Sequence, residues 1–111
     1  MRNERVRGYL DGIVLSILVT GDTYGYEIVQ KVNERTHGAL QLKEGSLYPA
    51  LKRLEAEHFI EGYWGTDKET GPRRRYYTLT ERGKSQLERI RREWTEEQRV
   101  LSVFLGRVGL E

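Results

Sequence analysis

The sequence of 111 residues contains no cysteine. That excludes disulfides, thiolate zinc centres and a cysteine nucleophile together. Histidine is nearly as scarce. His37 and His58 stand apart, with no carboxylate or cysteine at ligand spacing, so neither a metal site nor a catalytic triad is expected. The chain is therefore read as neither an enzyme nor a cofactor protein. Proline occurs only twice, and no Pro-, Gly- or Ser-rich linker divides the chain, which predicts one domain of ordinary size. No apolar run approaches the roughly 20 residues that span a bilayer. Met1-Arg2-Asn3-Glu4 does not have the form of a signal peptide. No membrane partner is expected, and the expected location is the cytoplasm. Net charge is only +2, too little in itself to argue for an anionic partner, because the field depends on where the charges sit.

What the chain does have is charge of both signs, 32% of its residues against 37% hydrophobic. That is polar for a globular monomer; the high ratio of surface to volume of a small domain is one account of it, and a core completed across a dimer interface is a second. Leu10, Ile13, Val14, Ile17 and Leu18 fall on one stripe of an amphipathic helix that ends at Thr20-Gly21-Asp22. Its opposite face carries Gly8, Gly12, Leu15, Ser16 and Val19, small and semi-apolar, which predicts a second covering surface. Thr23 is the expected N-cap of a second helix with Ile28, Val29 and Val32 inward and Gly38 as its stop. Leu40-Gln41-Leu42 alternates as a short strand would.

Ser46 is the expected N-cap of a third helix, with Pro49 at its third position, where a missing N–H costs nothing. Leu47, Ala50, Leu51 and Leu54 form the inward stripe, leaving Ser46, Tyr48, Pro49, Lys52 and Arg53 outward or on the flank. From Phe59 the period falls to about two. Phe59–Trp64 and Arg75–Leu79 read as strands joined by the turn-rich Gly65–Pro72. Thr80 then caps a long last helix. Its heptads place Leu87, Trp94, Leu101 and Val108 at one core position, and Ile90 and Phe104 at the other. Glu97 takes the remaining core position and breaks the seam. The helix either joins two chains or packs within one; its length beyond so small a domain favours the first.

The order helix, helix, helix, hairpin, helix is that of a winged helix-turn-helix, mainly α with a small β-wing. In such folds the second helix of the motif enters the major groove. The expected organisation is a winged-helix part over 1–80 and a C-terminal dimerisation helix over 81–111, together one structural unit. Ser46, Tyr48, Lys52 and Arg53 then face outward with groups suited to phosphates and base acceptors. The wing adds Arg73-Arg74-Arg75, with Lys68 near its tip. Between residues 43 and 75 anions nearly match cations, so only their segregation favours nucleic acid. A charge run of this kind is more often simply solvated.

Three separated blocks resemble one known family: Tyr24-Gly25-Tyr26-Glu27-Ile28, then Gly45 to Glu55, then Gly71 to Gly83. They resemble the signature of PadR-type transcriptional repressors over about residues 10–84. The short last helix is similar to that of the smaller subfamily, to which the lactococcal multidrug-sensing repressor belongs. The resemblance implies a homodimer joined through the last helix, with Leu87, Ile90, Trp94, Leu101 and Phe104 at the interface. It implies that each recognition helix occupies half of a palindromic double-stranded DNA operator, with Tyr24, Tyr48 and the wing near the backbone. It further implies a small aromatic effector stacked on Trp94 and faced by Gly12, Leu15 and Ser16. The bland alternative is that Trp94 fills the dimer seam and the small residues serve close helix packing. The family pattern is broken at His58, where glycine is usual; histidine in a left-handed cap carries strain unless the helix ends differently. The competing function is a winged-helix module that binds protein and not DNA.

Overall fold

The computed structural model describes residues 3–66 and 73–106, with side chains from Tyr9 onward. The elements run α1 (Asn3–Val19), β1 (Thr23–Tyr24), α2 (Gly25–Arg35), α3 (Glu44–Ala56), β2 (Ile60–Trp64), β3 (Arg75–Leu79) and α4 (Glu81–Leu105). The three strands form one antiparallel sheet in the order β1-β3-β2, with Thr23 opposite Tyr77 and Gly62 also opposite Tyr77 on the other side. This is a winged helix-turn-helix with a long C-terminal helix. The wing tip, including Lys68, lies outside the described residues, as does Val108.

α1 is the central element: it packs against α2, α3, β3 and α4. That position supplies the second covering surface expected for α1. Leu15, on the small-residue face of α1, is fully buried with Val14, Ile28, Leu47, Leu51, Leu54 and Ile60. A helix with neighbours on several sides has no solvent face of the usual width, and burying Leu15 contributes about 2 kcal/mol. The inward stripe of α3 is as its spacing predicts, with Leu47, Ala50, Leu51 and Leu54 all buried.

Both predicted helix-turn-helix caps shift. Thr23 belongs to β1; its hydroxyl donates to Glu27 Oε1 at 2.6 Å, and extended Tyr24 caps α2 with no side-chain bond. That hydroxyl is the main reason the Glu27 carboxyl sits below its ordinary range. α3 starts two residues before Ser46, with Lys43 at its cap and again no side-chain bond. Pro49 therefore lies in the interior of α3, where it leaves the Gly45 carbonyl without its usual partner. The predicted strand Leu40–Leu42 does not form. The Leu40 N–H donates to Thr36 Oγ1 at 3.1 Å and the Leu42 N–H to Asn33 Oδ1 at 3.0 Å, so side chains at the end of α2 satisfy that backbone.

The α3–β2 junction turns at His58, whose φ of 63° is the left-handed conformation usually given to glycine. Thr80 caps α4 as predicted: its hydroxyl accepts from the Gly83 N–H at 2.9 Å. Here α4 presses so closely on the wing base that a Cβ at Gly83 would stand 2.0 Å from the Phe59 carbonyl oxygen. The first half of α4 packs on α1, with Leu87 buried and Ile90 half-buried. From Arg91 to Leu105 every side chain is exposed, and this half helps draw the molecule out to 63 × 29 × 22 Å.

Candidate nucleic-acid interface

The face shared by the start of α2, the outer side of α3 and the wing strands carries an open cleft of about 420 Å³, lined by Tyr24, Gly25, Tyr26, Tyr48, Trp64 and Arg73 to Arg75. Aromatic packing supports Tyr24 at its edge. Tyr76 stands edge-on to Tyr24 with centroids 5.3 Å apart and stacks on Tyr63 at 5.8 Å. Tyr63 is anchored in turn by donating its hydroxyl to Asp22 at 2.6 Å, a bond that raises its pKa. The Arg74 guanidinium lies 4.6 Å above the Tyr24 ring, and that of Arg73 lies 5.8 Å from the Trp64 ring centre. Such cation–π contacts orient an exposed guanidinium while leaving its N–H groups free for another acceptor. Tyr48 is half-exposed, with its hydroxyl against the first residue of α2: a Cβ at Gly25 would approach it to 2.8 Å.

The helix ends add to this electrostatic character. The first N–H groups of a helix lack internal partners and carry partial positive charge. α2 and α3 both begin without a side-chain cap, whereas α4, away from this face, is capped by Thr80. Ser46 and Lys52 are exposed on α3.

Two arginines assigned to this face are committed elsewhere. Arg53 makes a bidentate pair with Asp11 of α1, at 2.7 and 2.9 Å, and this carboxylate raises its pKa. Arg75 donates to Glu55 Oε2 of α3 at 3.0 Å. Sequence reading missed Asp11 and Glu55 because each acts on a partner far along the chain. It also passed over Tyr26 of α2 and Trp64 of β2, which the structure leaves half-exposed at the cleft; for Trp64 the available signal was an aromatic at the end of a strand, in register with Arg75.

A second concavity, about 230 Å³, lies between α1 and α4 and is lined by Tyr9, Gly12, Ile13, Ser16, Leu87, Ile90, Arg91 and Trp94. Gly12, Ser16 and Trp94 thus meet in one groove, and Leu15 does not belong to it. Ile90 comes so near α1 that a Cβ at Gly12 would lie 2.9 Å from its Cγ2. The phenol of Tyr9 donates to Glu97, the polar residue that interrupts the heptads. Of the residues assigned to a dimer seam, Trp94, Leu101 and Phe104 are exposed. Leu87 is only 3% exposed because it fills the core of its own chain. It therefore has almost no surface left for a partner.

The model of the transcriptional regulator PadR-like family matches residues 14–89. The chain belongs to this family. PadR-like proteins are transcriptional regulators, not enzymes. This PadR-like chain is 40% identical over 111 residues to an uncharacterized protein of Lysinibacillus sphaericus, covering 100% of this chain and 99% of that one. Its fold is similar to a transcriptional regulator from Clostridium thermocellum, with a TM-score of 0.86 and 36% identity over 93% of this chain and 99% of that chain. The negative transcriptional regulator PadR of Bacillus subtilis is 34% identical over 74 residues, 67% of this chain but only 40% of PadR. The crystal structure of that PadR in complex with operator DNA matches with a TM-score of 0.64 and 33% identity, over 71% of this chain and 44% of that one. Among the described residues of this PadR-like chain, no three His, Asp or Glu side chains gather as metal ligands. None of its described helices is long and apolar enough to cross a membrane.

Proposed function

We propose that this chain is a cytoplasmic, homodimeric repressor that binds a palindromic double-stranded DNA operator. The observation that carries the reading is the cleft in which Arg73 and Arg74 stand on aromatic rings beside the uncapped start of α2. Oriented guanidiniums, a half-exposed Tyr48 hydroxyl and helix starts without a side-chain cap together suit a phosphate backbone. In this reading Ser46 and Lys52 of α3 reach into the major groove and Tyr24 supports Arg74; Lys68, outside the described residues, is assigned to DNA from the sequence alone. Arg53 and Arg75 are held by Asp11 and Glu55 in the free protein, which narrows the cations ready for phosphate. The similarity of the fold to B. subtilis PadR, whose structure is a complex with operator DNA, supports the DNA-binding reading as a whole.

In this reading residues 1–80 bind DNA and 81–111 join two protomers. Trp94, Leu101 and Phe104 supply the apolar contact, and Ile90 stays mainly with its own α1. The groove of Gly12, Ser16 and Trp94 takes a flat aromatic cation, as the similarity to the small multidrug-sensing subfamily implies. Such a ligand changes operator affinity only by preferring one of two dimer states.

Mobility-shift titration against duplexes selected by the protein from a randomised pool, at several salt concentrations, tests the DNA reading. Affinity should fall steeply with salt, and Lys52→Ala or Arg74→Ala should flatten the slope. Failure to enrich any duplex favours a protein-binding module instead. For the groove, flat aromatic cations should change the tryptophan fluorescence of wild type but not of Trp94→Ala; an equal response in both removes the effector site.

A further inference from the structure

The three wing arginines do not share one environment. Arg73 and Arg74 are exposed, but Arg75 is half-buried and points back across the sheet toward α3. Its Nη2 donates to Glu55 Oε2 at 3.0 Å, and the same oxygen accepts the Gly62 N–H of β2 at 3.1 Å. One carboxylate in the last turn of α3 therefore holds both wing strands. The Trp64 ring flanks the guanidinium, its centre 5.3 Å away.

Arg75 reaches Glu55 through a lane that Gly62 leaves open. A Cβ at Gly62 would lie 2.7 Å from both Nε and Nη2 of Arg75, inside van der Waals contact. Any side chain at 62 displaces that guanidinium. The obstacle is the far end of a flexible side chain, so the strand itself can persist while the ion pair breaks.

We propose that Glu55 is a positioning residue for DNA recognition: with Arg75 and the gap at Gly62 it fixes the angle between the recognition helix and the wing, and Arg75 is a strut, not a phosphate contact. The proposal rests on the DNA-binding reading above. A helix in the major groove and a wing on the flanking backbone engage together only at one relative orientation. A tie between them therefore favours the correct site over random DNA, where register is not fixed.

The sign of the charge effect separates this role from plain electrostatics. Removing an anion near DNA strengthens binding and removing a cation weakens it. A strut predicts that Glu55→Gln and Arg75→Gln both weaken specific binding. Glutamine at 55 also keeps an acceptor for the Gly62 N–H, so the change isolates the ion pair.

The experiment measures affinity for a duplex selected from a randomised pool by the wild-type protein and for a scrambled duplex of equal length, across a salt series, with thermal unfolding alongside. Glu55→Gln, Arg75→Gln and Gly62→Ala should each weaken binding to the selected duplex by about three- to tenfold. Binding to the scrambled duplex should not weaken in Glu55→Gln or Gly62→Ala, the salt slope of Arg75→Gln should stay as in wild type, and the Glu55→Gln/Arg75→Gln double variant should bind no worse than Arg75→Gln alone. Arg74→Ala, the comparison, should lower the slope by about 0.9 for each phosphate that the arginine neutralises in wild type. A matching fall in slope for Arg75→Gln overturns the proposal, as does unchanged or tighter selective binding by Glu55→Gln. If Glu55→Gln unfolds, Gly62→Ala decides: full selectivity in that variant overturns the strut. Should wild type enrich no duplex, the DNA reading itself falls, an outcome distinct from any of these.

Discussion

Replacing Asp11 with asparagine should strengthen the interaction of this protein with DNA while slightly weakening its fold. Arg53 sits on the outer side of α3 with its guanidinium clamped by both oxygens of Asp11. The Arg53 side chain is 49% exposed and that of Asp11 25%, so solvent screens the pair and its contribution to stability is about 0.5–1 kcal/mol. Its loss should lower the melting temperature by about 2–8 °C. The carboxylate also occupies the donors that a DNA phosphate would otherwise receive, and so acts as an internal competitor. Freed, Arg53 should add one ionic contact per protomer and steepen the salt dependence of binding by about 0.9 for each. Mobility shifts of wild type and Asp11→Asn over a salt series read the slope, and a thermal melt reads the stability. Weaker binding with a shallower slope in the variant would refute the competition, because Asp11 would then be presenting Arg53 to DNA and not withholding it.

Two further outcomes concern the fold itself. Gly83→Ala should cost at least about 2 kcal/mol, seen as a fall of roughly 10 °C in the thermal midpoint, because the new methyl group meets the Phe59 backbone oxygen and only a shift of α4 can relieve it; an unchanged midpoint would contradict the packing described for this junction. Burial, with the nearby Glu55 carboxylate next in weight, raises the pKa of Tyr77 above its ordinary value of 10.0. Stability from the protonated phenol is full below the unfolded pKa and is lost as pH rises from about 10 through the folded value, so denaturant midpoints should decline with pH in wild type and decline less in Tyr77→Phe.

Much of the fold was legible because it is written in local patterns. The Leu47–Leu54 stripe repeats with the helical period, the wing strands are dense in aromatic and branched residues, and Thr80 caps α4 by the ordinary side-chain route. What escaped has a common physical cause. β1 is two residues long and exists only because β3 lies beside it, so it has no period of its own. The caps of α2 and α3 are hidden from the sequence because rules for helix starts look for a capping side chain, and neither helix uses one. The second covered face of α1 was legible, but not that Leu15 turns into the core and leaves the α1–α4 groove to Gly12 and Ser16. The candidate site was harder still. Arg53 and Arg75 look like free cations until their partners, 42 and 20 residues away, are placed beside them.

The far half of α4 has one more consequence. Beyond Ile90 the helix touches little of its own chain, yet its C-terminal end bears Val100, Leu101, Val103, Phe104 and Leu105, all exposed. Its internal supports are ion pairs such as Arg91–Glu88 and Arg99–Glu96, worth only a few tenths of a kcal/mol apiece. A free helical segment on the order of fifteen residues is marginal in water. Its order must therefore come from whatever covers it, and in a homodimer that makes helicity a function of concentration. In the dimer proposed above, dilution would melt this half before the rest, and the abundance of the protein in a cell would become a variable of its shape.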